Sequence, residues 1–242
     1  MFRLLKLKPP HGWSAVAWEL GIVTLGVLIA LGAQQVVDDL HQRGEAVDAE
    51  RAIRGELEHD MALLRSRADK KACVDARIAE LQALIDSAAE AGGAIKTPSW
   101  VGRPQFWTMQ MARWQATSQA GRAALLPADD LALYGGMYSY MANVNAAMAV
   151  EQDDWAKLRS LEHLQRLTPE MAFQLNTTLQ QARYINWRMN IWTTQLQSLF
   201  DRLHLKVVVV RNIPASRSAC VPMNTPRDQA VRASNSYTGD EP

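Results

Sequence analysis

Apolar residues fill the chain almost without interruption from Ala15 to Ala33, and beyond that stretch they thin into a spaced pattern. A helix rises roughly 1.5 Å per residue, so the segment to Gln34 spans the roughly 30 Å of a bilayer's hydrocarbon core. Downstream, Leu40, Val47, Ile53, Leu57, Met61, Leu64, Ala68 and Ala72, then Ile78, Leu81, Ile85 and Ala88, recur at threes, fours and sevens. That spacing predicts one apolar stripe on one long helix, into which the apolar segment runs without a break. Glu50 and Arg54 take a surface spacing beside it, and only Gly44 and Gly55 weaken it.

Gly92-Gly93 ends this pattern, and the segment from Lys96 to Pro104 reads as a loop. A second, shorter helix is expected from about Gln105, with Trp107, Met111 and Trp114 on one face and Gly121 beyond it. Pro127 followed by Asp129 and Asp130 starts a third helix, carrying Leu131, Tyr134, Tyr138, Met141, Val144, Met148, Trp155 and Leu158 on one side. Thr168-Pro169-Glu170 is a strong start signal for a fourth, running through Leu175, Leu179, Tyr184, Trp187, Ile191, Leu196 and Leu203.

After His204 the helical spacing fails. Val207 to Val210 is β-branched, and Pro214, Pro222 and Pro226 oppose a continuing helix, so residues 205–242 are expected to be extended, with Ser234 to Pro242 disordered. The fold class is therefore all-α: one N-terminal transmembrane helix continuing into a long helix, an antiparallel bundle of about four helices, and an extended tail. The expected divisions are a cytoplasmic segment at 1–14, an anchor at 15–37 and a periplasmic bundle at 38–204.

Charge sets the orientation. Arg3, Lys6 and Lys8 precede the apolar segment while Asp38 and Asp39 follow it, placing the N-terminus in the cytoplasm and the bulk outside. Trp13 and Trp18 suit the headgroup boundary, and Ser14 can cap the first turn. Ala30-Leu31-Gly32 also has the small residues of a signal-peptidase site, but the helical pattern passes through it without proline, which favours an uncleaved anchor. A formal net charge of +1 and the absence of a basic stripe argue against nucleic acid as a partner.

The chain has two cysteines, Cys73 and Cys220, with no CxxC pattern. In an oxidising compartment they would close a loop of about 150 residues as a disulfide; the alternative is two unrelated buried thiols. Glu56-Leu-Glu-His59 has the Glu-x-x-His spacing of di-iron bundles, and Asp201-Arg-Leu-His204 is a weaker copy, but no carboxylates on other helices complete a metal site, so solvated helix charges explain them better. Glu19 lies among apolar residues one turn into the anchor. There the helix dipole favours a negative charge, and a structural or partner-recognition role outweighs proton or ion handling. Gly26, Ala30 and Ala33 share a face in the small-xxx-small pattern of transmembrane helix pairing.

No Gly-x-Ser-x-Gly, HExxH, P-loop or Gly-x-Gly-x-x-Gly motif occurs, and no cofactor motif is found. Of the five histidines, His11 falls on the cytoplasmic side. Trp100, Trp107, Trp114, Trp187 and Trp192 fit core packing better than a ligand pocket. The segment from Trp18 to Gln35 followed by Ala46 to Leu57, together with Trp114 to Gly121, Leu126 to Leu131 through Tyr134 and Tyr138, and Cys220-Val-Pro222, resembles an uncharacterised family of bacterial single-pass inner-membrane proteins. The resemblance implies an anchor with a helical periplasmic domain and no established activity. Two functions follow as expectations: a non-enzymatic accessory subunit, whose partners are the lipid bilayer and other membrane proteins or a second copy, or a periplasmic ligand-binding or sensory module.

Overall fold

A computed structural model describes residues 13–206, 208–210, 213 and 216–235, with the side chains of 13–15 excluded. The expectations for Arg3, Lys6, Lys8 and His11, the side chains of Trp13 and Ser14, Val207, Pro214 and residues 236–242 lie outside the described residues. Among those described the structure is all-helical, with one isolated bridge between Ala94 and Arg166. From Val16 onward, its first helix contains a segment long and apolar enough to cross a membrane, none of it buried by the rest of the chain.

Helix α1 runs over Trp13–Ala68 and α2 over Lys71–Glu90. The single long helix expected from the stripe is thus broken once, at Asp69-Lys70, where the Lys70 amide bonds three residues back to Arg67 O at 3.2 Å. The stripe itself needs two corrections. Leu40 and Val47 are 62% and 54% exposed, and burial begins only at Ala49; beyond the break Ala72 is exposed and Val74 turns inward.

The chain then returns along α1 and α2 in a mostly irregular run. The expected helix from Gln105 is only α3, Ala112–Gln119, because side chains of α1 capture the backbone N–H groups of residues 110 and 113 that would otherwise enter a helical ladder. Helix α4, Ala128–Leu158, rises again; it buries Tyr134, Tyr138, Met141, Val144, Met148, Trp155 and Leu158, as the sequence pattern demands, with Leu131 partly buried. Helix α5, Pro169–Arg202, descends, its N-terminus capped by Thr168 Oγ1 accepting from the Met171 amide at 3.3 Å.

Two hydrophobic clusters stack along this rod. Ile53 to Leu64 of α1 pack with Tyr134 to Met148 of α4 and Ile185 to Phe200 of α5; Val74 to Ala88 of α2 pack with Trp155 to Leu161 and with Leu175 to Ala182. Helices α1, α2 and α4 therefore point one way and α5 the other.

The C-terminal part climbs back and is not simply extended. It includes a 3-10 turn at Ser218–Cys220 and helix α6, Arg227–Asn235, so Ser234 and Asn235 are helical rather than disordered. Pro226 precedes α6 without interrupting it, and its carbonyl accepts the Ala230 amide at 2.8 Å. Cys73 and Cys220 meet with sulfur atoms 2.14 Å apart. Beside them the buried Arg77 donates to the carbonyl oxygens of Val101 and Val221 and, at 2.8 Å, to Glu80.

Candidate functional site

The first 30 or so described residues of α1 project clear of the domain, with Val16 to Val47 exposed apart from half-buried Glu45 and Ala46. Along this projection Gly26, Ala30, Ala33, Val37, Leu40, Gly44 and Val47 recur at alternating spacings of four and three. That is a heptad seam, with Ala30, Val37 and Gly44 at one core position and Gly26, Ala33, Leu40 and Val47 at the other. All seven are exposed, and a Cβ added at Gly26 or Gly44 would meet nothing within 4 Å.

The opposite side of α1 is where the domain attaches. Two residues beyond Val47, Ala49 is the first buried position, and Ile53 and Leu57 continue that face into the core. Two residues of helix turn by roughly 200°, so the seam points away from the surface the domain occupies. Arg43 and Asp48 flank the seam on its two sides; both are exposed, and Asp48 pairs with Arg51 of its own helix at 2.8 Å. Glu19 is also exposed, among apolar neighbours and without a charged partner among the described residues.

The base of the projection is held by two buried acidic side chains of α1, Glu56 and Asp60. Glu56, only 6% exposed, accepts hydrogen bonds from the Arg113 amide at 2.9 Å, the Trp114 amide at 3.4 Å and the Tyr138 hydroxyl at 2.7 Å. One turn on, Asp60 is fully buried and accepts from the Gln110 amide at 2.7 Å. Glu56 thus replaces the missing partners of the first α3 amides, and Asp60 holds the chain just before that helix. Burial raises the Asp60 pKa to about 8, the nearby Glu56 adding to the shift while the Gln110 amide opposes it.

This overturns the reading of Glu56 as a solvated charge; His59 is half-buried and makes no common site with it. The second Glu-x-x-His-like pair is not on a helical face at all. His204 lies past the end of α5 with φ of 51°, and the Leu203 and His204 carbonyls both accept from Arg54, each at 3.1 Å. Arg54 is thus more than half of a surface pair with Glu50: it closes the C-terminus of α5. Among the described residues no three His, Cys, Asp or Glu side chains converge as a metal site.

The tryptophans divide. Trp100 and Trp192 are buried, Trp107 and Trp114 pack partly against the core, and Trp114 stacks on Tyr138 with ring centroids 5.0 Å apart. Trp187 is 52% exposed beside Tyr184, contrary to its expected place on the core face. Comparison with family models, curated proteins and solved structures finds no match to this chain.

Proposed function

We propose that this protein is a non-enzymatic, membrane-anchored interaction subunit of a bacterial inner membrane, with its N-terminus cytoplasmic, its helical domain periplasmic, and its α1 seam docked on the same seam of a second copy. The observation that carries this is the uncharged row from Gly26 to Val47, which the domain leaves free while burying the opposite face of the same helix.

A second copy is favoured over an unrelated protein by charge. Two copies inserted in one membrane run parallel, and in a parallel heptad pair the residue before one core position faces the residue five further on in its neighbour. Here those residues are Arg43 and Asp48, opposite in sign. Gly26, Ala30 and Ala33 allow close approach within the bilayer, where packing and not the hydrophobic effect drives pairing. Leu40 and Val47 continue the contact in water, where burying them is favourable by itself. In this arrangement Glu19 sits near the cytoplasmic boundary.

The test is cross-linking of the full-length protein in its native membrane. Leu40→Cys lies in the seam and should yield a covalent dimer on oxidation, whereas Gln42→Cys, on the far side of the helix, should not. Equal cross-linking at both positions, or at neither, overturns the second-copy reading, as does a heterologous protein captured at Leu40→Cys. Gly26→Leu with Ala30→Leu should weaken the dimer in mild detergent. Release of the protein from membranes by an alkaline carbonate wash overturns the anchor itself.

A further inference from the structure

At the end of the domain away from the apolar segment, a cleft of about 210 Å³ opens between the loop after Trp100, the C-terminus of α4 and α6. Three guanidinium-bearing residues line it: Arg103, Arg159 and Arg227. Two of them meet one carboxylate, that of Glu162, whose side chain is buried and already accepts from the Val101 amide at 2.9 Å and pairs with Arg227 at 2.7 Å and Arg159 at 3.7 Å. Arg103 has no carboxylate partner among the described residues, and its guanidinium rests 4.8 Å from the centre of the Phe106 ring. Burial, and then the charge of Arg159, push the Arg103 pKa below its usual range. Three guanidinium groups against the one Glu162 carboxylate leave the neighbourhood with positive charge in excess.

The cleft wall is fixed before any ligand arrives. Gly102, at φ of 70°, lies so close to Ser218 that a Cβ there would fall 2.4 Å from the Ser218 carbonyl oxygen. That oxygen accepts from Trp100 Nε1 at 2.9 Å, while Ser218 Oγ accepts from the Arg103 amide at 3.2 Å. Two residues on, Cys220 is tied to Cys73. Such bracing lowers the ordering cost of binding.

We infer that this cleft binds a small phosphate dianion, free or as a phosphomonoester, held by Arg103, Arg159 and Arg227. Guanidinium forks bond phosphate oxygens in pairs, and a doubly negative ligand balances the two charges that Glu162 leaves over. A lipid headgroup of the protein's own membrane is the wrong source. Asp38 to Ala68 alone extend roughly 45 Å, and the cleft lies beyond them. The ligand is therefore a dissolved one, and its binding is independent of how α1 pairs.

The experiment is a titration of the purified full-length protein with inorganic phosphate at constant ionic strength, read as melting temperature and by calorimetry. A saturable rise is expected, reduced roughly ten- to a hundred-fold in affinity by Arg103→Gln and by Arg159→Gln, and unchanged by Arg183→Gln on the exposed face of α5. Melting without phosphate verifies that each variant folds; should Arg103→Gln fail, Arg159→Gln carries the test. Glycerol phosphate in a parallel arm distinguishes an ester from the free ion by which saturates at lower concentration. A non-saturating response, a response retained in both cleft variants, or one given by succinate and not by phosphate overturns the assignment.

Discussion

The Arg67 guanidinium donates to Glu151 Oε1 at 2.8 Å, with both side chains almost completely buried where the two hydrophobic clusters of the rod meet. Arg67 Nε and Glu151 Oε2 have no hydrogen-bond partner among the described residues. The pair lies beside the break at Asp69-Lys70, and near it Asn186 Nδ2 donates to Asp75 Oδ1 at 2.6 Å. A polar layer thus coincides with the one interruption in the α1–α2 rod.

Removing one member of this pair should cost far more than removing both. Arg67→Met leaves a buried carboxylate uncompensated and is expected to destabilise by about 3–5 kcal/mol, as is Glu151→Leu with the charges reversed. Arg67→Met with Glu151→Leu should return to within about 1 kcal/mol of the parent or exceed it. Urea unfolding of the full-length protein in mild detergent measures the cycle; additive losses in the double variant would show that the two charges are not energetically coupled.

Stability should fall as pH rises from about 4 to 8. Asp60 is an acid whose folded pKa, about 8, lies above its unfolded value, so in that window the folded state holds a proton that the unfolded state has lost. Its contribution is complete below the unfolded pKa and gone above the folded one. Burial raises Glu151 and Asp154 as well, with the same sign. Asp60→Asn keeps an acceptor for the Gln110 amide without a charge; it should raise the melting temperature at pH 8 by about 2–4 °C per kcal/mol recovered, and change it little at pH 4. Parallel melting curves for parent and variant across this range would contradict the assignment.

The Cys73–Cys220 link closes a sequence separation of 147 residues. In the chain-entropy model its loss costs up to about 4–5 kcal/mol, and the folded domain should melt correspondingly lower in Cys73→Ala/Cys220→Ala. Arg77 still holds the same tail through the Val221 carbonyl, so limited proteolysis should open the region 216–235 fully only when Arg77→Met is added. If both thiols of the oxidised, folded protein react with a thiol reagent before reduction, the link does not exist in solution.

Local periodicity was enough to read the apolar segment, α4 and α5, because each repeats one strong pattern over many turns, and α4 and α5 follow clear start signals, Pro127 with the next aspartates and Thr168-Pro169. The four-three row at Gly26, Ala30 and Ala33 is likewise written in the sequence. Leu40 and Val47, which continue that row, are read from the spacing as part of the buried stripe and are instead exposed, since spacing alone does not say where along a 56-residue helix the domain begins to cover it. Glu56 carried the ordinary signature of a solvated helix charge, and Asp60 carried no signal at all; the burial of both goes with backbone amides about 50 residues away in sequence, which no periodicity encodes. The same holds for the meeting of Arg103, Arg159 and Arg227, which three separate segments bring to one cleft. Sequence determined that the apolar segment, α4 and α5 become helices, because those depend on neighbours a turn away; only the tertiary structure decided where α1 breaks, where α3 begins, that the tail forms α6, and which polar groups are buried, paired or left facing one another, because their partners are distant in the chain.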